Sequence, residues 1–151
     1  MNIAVLDASL YFKGLLLLIR KDHKISNMEA QLMKRIGKSL GFEKAFCNRA
    51  IREIMDNKFI EDVPPRFSSA ILAMKFIKDG LSFSLTDNVV HPREEEWLLS
   101  VALTNGLSRD WFLAEKDVAE KRRELPEQME VDDLEIDFTQ SAREEKNESC
   151  Q

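Results

Sequence analysis

The chain has 151 residues, 44% of them hydrophobic, which suits one domain able to bury a core without covalent staples. Its two cysteines, Cys47 and Cys150, lack short spacing and a neighbouring histidine, which excludes a disulfide framework and a zinc pattern. The net charge of −5 hides a division: Ala114–Gln151 holds 13 acidic and 6 basic residues, whereas residues 1–113 hold 14 acidic and 16 basic, so the acid excess says nothing against an anionic partner for the first part.

Helix one is expected from about Asn2 to Lys21, with Leu6, Leu10, Lys13 and Leu17 at helical spacing. Its Leu15–Ile19 run is apolar on most sides, the pattern of a central helix. That run is far shorter than the ~20 apolar residues that cross a bilayer, and it leads into Arg20 and Lys21 rather than a cleavage site. With Asp7 and no basic stretch before it, the N-terminus predicts no secretion signal, no membrane association and a cytoplasmic location. Helix two opens on Ser26 with Glu29 three residues on, a capping box, continues through Leu32, Met33, Ile36 and Leu40, and stops at Gly41. Helix three carries Phe46, Cys47, Ala50, Ile51, Ile54 and Met55 and ends before Pro64 and Pro65. Cys47 sits among apolar positions and reads as a small buried hydrophobe.

Helix four carries Phe67, Ala70, Ile71, Met74, Ile77 and Leu81. Helix five starts at His91, with Pro92 in the favoured first position and Glu94, Glu95 and Glu96 where the helix N-terminus attracts negative charge. Trp97, Leu98 and Val101 form its buried face, and Gly106 ends it. Ser108 opens helix six, with Trp111, Phe112, Glu115 and Val118 along one side. Beyond Pro126, Met129, Val131, Leu134, Ile136 and Phe138 alternate with acids. This stretch reads either as a docking peptide or as a solubilising tail, and Ser141–Gln151 is polar enough to predict disorder.

The chain also repeats itself. A shift of 65 positions places Asp22, Ile25, Glu29, Met33, Ile36, Gly41, Phe42 and Phe46 on Asp87, Val90, Glu94, Leu98, Val101, Gly106, Leu107 and Trp111. Upstream it pairs Leu6, Ala8, Phe12, Lys13 and Leu16 with Ile71, Ala73, Ile77, Lys78 and Leu81. Shared punctuation (the Asp before the helix, the Glu in its first turn, the Gly after it) is harder to obtain by chance than shared apolar spacing. The expected fold is all-α, a single helical domain over residues 1–125 built from two pseudo-symmetric three-helix units, followed by a flexible acidic tail over 126–151.

The repeated carboxylates are the sharpest chemical candidates. Asp22 and Glu29 bracket one turn, Asp87 and Glu94 the other, with His91 beside the second. Calcium or magnesium needs oxygen ligands, and two carboxylates across a turn supply part of a shell. Neither segment has EF-hand spacing. The same residues serve equally as helix caps and turn formers, and both readings stay open. Lys34, Arg35, Lys38, Lys44, Arg49 and Arg52 on helices two and three offer an alternative, a basic face that binds nucleic acid and is autoinhibited by the acidic tail. Glu53 and Asp56 dilute that face and no aromatic platform interleaves it, which argues against nucleic acid as the partner. No phosphate loop, nucleophile elbow or Cys–His pair is present, so no catalytic residue is assigned.

The stretch Lys21-Asp22-His23-Lys24-Ile25-Ser26-Asn27-Met28-Glu29, followed by Leu32, Ile36 and Gly41-Phe42, resembles the TerB-like family, named after tellurite-resistance proteins. Its echo at Val90-His91-Pro92-Arg93-Glu94-Glu95 resembles the second half of that family's domain, and together they cover residues 3–119. The resemblance implies an all-helical domain, acidic residues associated with a divalent cation (here Asp22, Glu29, Asp87 and Glu94), and a loose association with stress responses. The family often has Gly after the first Asp, where this chain has His23 and Lys24, and the charge of Lys24 disfavours a cation at the first turn. The function expected is that of a non-catalytic interaction or sensing module with a protein partner, responsive to calcium or magnesium.

Overall fold

The structure, a computed structural model, describes residues 4–22, 25–57, 59–85 and 90–122. The expected acidic tail, 126–151, lies outside these residues. Six helices follow one another: α1 (Val5–Ile19), α2 (Asn27–Ser39), α3 (Lys44–Asp56), α4 (Ala70–Ser84), α5 (Pro92–Thr104) and α6 (Arg109–Arg122), with a 3₁₀ turn at Arg20–Asp22. The described residues are thus all-α, with no strand among them. No helix among them is long and apolar enough to cross a membrane.

Local hydrogen bonding explains most of the boundaries. Ser26 is the N-cap of α2, its hydroxyl accepting from the Glu29 N–H at 3.0 Å while the Glu29 carboxylate accepts from the Ser26 N–H at 3.1 Å. The Ser108 hydroxyl accepts from the Trp111 N–H at 3.0 Å and starts α6 in the same way. Gly41 and Gly106 follow α2 and α5 with φ of +87° and +79°, a conformation that costs a residue without Cβ almost nothing. The first residues of α1, α2 and α3 recur 65 positions later as those of α4, α5 and α6, as do the two left-handed glycines.

One expectation is corrected. Phe67 does not belong to α4: Ser69 is its N-cap, accepting from the Leu72 N–H, and the Phe67 N–H is instead held at 2.8 Å by the side chain of Asn105. In α6 only Phe112 is buried, and Val118 is 43% exposed. The sequence pairing of Leu6 with Ile71 also marks exposed rather than core positions, at 71% and 59%.

The centre of the molecule is the contact of α1 with α4. Tyr11, Phe12, Leu15, Leu16 and Leu18 of α1 and Ala73, Phe76, Ile77 and Leu81 of α4 are fully buried. The rings of Tyr11 and Phe76, which are equivalent under the 65-residue shift, meet edge to face with centroids 5.2 Å apart. Gly14 lets the other helix come close: a Cβ there would lie 2.8 Å from Phe76 Cζ. At the position equivalent to Gly14, Asp79 accepts a hydrogen bond from the Tyr11 hydroxyl, so Tyr11·Asp79 and Phe76·Gly14 are the same contact seen from the two halves. Tyr11 and Asp79 are both buried, and each polar group needs such a partner away from water. α2 and α3 pack on each other and on α1, while α5 and α6 do so on α4.

Candidate functional site

The two acidic turns are partly visible. Asp22 ends the 3₁₀ turn, but its side chain and the whole of Asp87 lie outside the described residues. Glu29 is half-buried and engaged in the Ser26 capping box. Glu94 is only 3% exposed, one oxygen accepting from the His91 N–H at 3.2 Å and the other from the Ser84 hydroxyl at 3.1 Å. His91 is the N-cap of α5 and half-buried. Glu94, His91 and Ser84 are therefore brought together, with the Glu94 carboxylate spent on fastening the start of α5 to the end of α4. Among the described residues no group of three or more His, Cys, Asp and Glu side chains is gathered for a metal. A cation at either turn would share oxygens that already accept from backbone donors, and would need Asp22 or Asp87 to fill its shell.

A second site has no counterpart in the sequence reading. Between α3 and α4, residues 57 and 59–69 form neither helix nor strand. Connections of about this length without secondary structure are usually either functional or linkers. Side chains from α1, the 3₁₀ turn, α5 and the residue that follows α5 pin this connection. Arg20 of the 3₁₀ turn donates to the carbonyls of Ile54 (3.2 Å), Asn57 (3.3 Å) and Ile60 (2.8 Å) and to the carboxylate of Asp62. Trp97 of α5 donates its indole N–H to the Asp62 carbonyl at 3.0 Å. Asn105 donates to the Pro65 carbonyl at 2.8 Å, and buried Asp7 of α1 accepts from the Ser68 N–H at 3.0 Å and from its hydroxyl.

Pinned in this way, the segment walls a cleft of about 750 Å³ between the ends of α1 and α3 and the side of α5. Ile54, Met55 and Trp97 supply apolar lining, and Asp56, Arg93, Glu96 and Ser100 supply polar lining. Lys21 pairs with Asp62, its ammonium 6.0 Å from the Trp97 ring centroid, within reach of a cation–π attraction. Phe59 stands 90% exposed on the same segment, its N–H held at 2.9 Å by the Asn57 side chain. Mixed charge over an apolar floor is binding chemistry, with orientation set by the polar rim.

The pH response of this frame follows from Asp62. Burial pushes its carboxyl up, but hydrogen bonds from Lys21 and Arg20, and their charges, outweigh burial and hold the pKa below 3.8. A carboxyl with a lower pKa in the folded than in the unfolded chain adds stability present above the unfolded value and lost as pH falls through the folded one. Asp62→Asn is therefore expected to lower the thermal midpoint near neutral pH. The two midpoint curves should converge as the pH falls from the ordinary aspartate value through the lower value of the folded chain. The side chain is 37% exposed, so the difference is held to about 1 kcal/mol or less by solvent screening. Parallel curves throughout that range would remove the linkage.

Cys47 is buried at 1%, and burial pushes its thiol above 9.0, consistent with packing rather than reactivity. Its sulfur fills the space over Gly37, where a Cβ would approach it to 2.3 Å. The basic residues read from α2 and α3 are exposed as expected. Comparison with known proteins returns no match among family models, curated proteins or solved structures.

Proposed function

We propose that this chain is a non-catalytic interaction module of the TerB-like kind, two related three-helix units that seat a segment of a partner protein in the cleft under residues 57–69. The observation that carries this reading is the frame itself: Arg20, Lys21, Asp62 and Trp97 hold a walled cleft open and spend their own polar groups on keeping its shape. Preorganisation of this kind reduces the ordering cost of binding. The recurrence of helix starts every 65 residues supports the two-unit part of the reading. The stress-associated role and the cytoplasmic setting rest on the resemblance and on the expectation of no secretion signal.

Responsiveness to calcium or magnesium is part of the same proposal and belongs to the turn of Asp87, His91 and Glu94. Its test is thermal unfolding after chelation, with either ion added back, beside Asp87→Asn. A cation at 100 times its dissociation constant adds about 2.7 kcal/mol. A midpoint unchanged by both ions removes this part. The cleft is tested by capture of partners with the full chain, Ser100→Trp and Lys121→Glu. Ser100 is half-buried on the cleft wall, while Lys121 lies away from it and is paired with Asp117. A protein retained by the wild type and by Lys121→Glu but lost with Ser100→Trp places the site in the cleft. Identical retention by all three overturns that.

A further inference from the structure

Some cations of the described residues sit in ion pairs, and others, on the α2–α3 hairpin and elsewhere, do not. Arg20 and Lys21 pair with Asp62, Lys116 with Glu95 and Glu120, and Lys121 with Asp117. In contrast, Lys34, Lys38, Lys44, Arg49 and Arg52 are all exposed, and none forms an ion pair among the described residues, although Glu53 lies one turn from Arg49. Lys34 and Lys38 are one turn apart on α2, on the side away from buried Leu32, Met33 and Ile36. Arg49 and Arg52 are likewise adjacent on α3, away from Cys47, Ala50 and Ile54. α2 and α3 pack on one another through a short turn, so these residues form the outward side of one helical hairpin. Like charges at this spacing repel unless a counter-charge covers them.

The chain carries such a counter-charge. Residues 127–138 hold six acids, Glu127, Glu130, Asp132, Asp133, Glu135 and Asp137, alternating with apolar residues from Met129 to Phe138. We propose that the outward side of the α2–α3 hairpin docks the chain's own 127–138 segment. α6 ends at Arg122, leaving four residues between it and Glu127. Twelve further residues reach about 40 Å when extended, about twice the ~20 Å length of a 13-residue helix. Covalent attachment sets an effective concentration near the millimolar range, so individually weak ion pairs suffice to hold the segment. Docking of this kind neutralises the face toward other polyanions, and a nucleic acid is thereby a competitor for the face rather than its resident.

The test uses the full chain with a nitroxide on Ser141→Cys in a Cys150→Ser background, buried Cys47 being left unlabelled. At about 0.01 M salt, where charges act over ~30 Å, amide signals of Lys34, Lys38, Arg49 and Arg52 should lose intensity. They should recover at about 1 M salt, where the range is ~3 Å. Arg49→Glu with Arg52→Glu should abolish the broadening, and adding Asp132→Lys with Asp133→Lys should restore it. This exchange distinguishes docking from a loss of fold. Broadening centred on Trp97 and Ser100, or none at low salt, overturns the proposal. So does an oligonucleotide that binds the unlabelled full chain as tightly as it binds a form with the six acids of 127–138 made amides.

Discussion

Phe76→Ala is expected to lower the unfolding free energy by about 3–5 kcal/mol, the range for emptying a buried aromatic site. Phe76 is fully buried and its ring meets those of Tyr11 at 5.2 Å, Phe67 at 5.2 Å and Trp97 at 6.1 Å. It also fills the space over Gly14, so the space left by its removal touches α1, α4, α5 and the connecting segment at once. Collapse is hindered because Tyr11 cannot swing inward without leaving Asp79. Against a typical total of 5–15 kcal/mol, a loss of this size puts the fold near its midpoint at moderate temperature. Urea unfolding measures it directly. A loss below about 1 kcal/mol would show that the first and last three helices do not depend on each other through this ring.

Glu94→Ala should cost about 1.5–3 kcal/mol, the value of hydrogen bonds to a charged partner, whereas Glu29→Ala should cost only about 0.5–1 kcal/mol. The two residues occupy equivalent positions and are indistinguishable by sequence pattern, yet Glu94 is 3% exposed and also holds the Ser84 hydroxyl. At the position equivalent to Ser84, the first half has Ile19, which offers no donor. Removing Glu94 therefore strands two donors at a partly buried helix start, and removing Glu29 strands one at an exposed start. Thermal unfolding of both variants without added cation gives the comparison. Equal small losses would show that the Glu94 carboxylate is not needed for the fold and is available to a ligand.

Helix ends were legible because their causes are local. Ser26 with Glu29, Pro92 with Glu94, Gly41 and Gly106 act within about one turn of themselves, so reading them required no knowledge of the rest of the molecule. The misplacement of Phe67 has the opposite cause: its N–H is satisfied by Asn105, 38 residues away, and no local pattern announces that bond. The acidic turns were legible as positions but not as roles, since whether a first-turn glutamate caps a helix or offers an oxygen to a cation depends on what faces it.

By itself, the sequence determined the six helices, their order, their recurrence every 65 residues and the burial of α1, because hydrophobic period and capping are written in neighbouring residues. Only the tertiary structure decided that Arg20, Asp62 and Trp97 meet around a cleft, that Asp79 answers Tyr11, and that Glu94 is buried while Glu29 is only half-buried. The first two arrangements join residues 35 to 68 positions apart, and the last depends on which helix end lies opposite each glutamate. Such contacts form only once α1 and α4 have packed and brought the remaining helices within hydrogen-bonding reach.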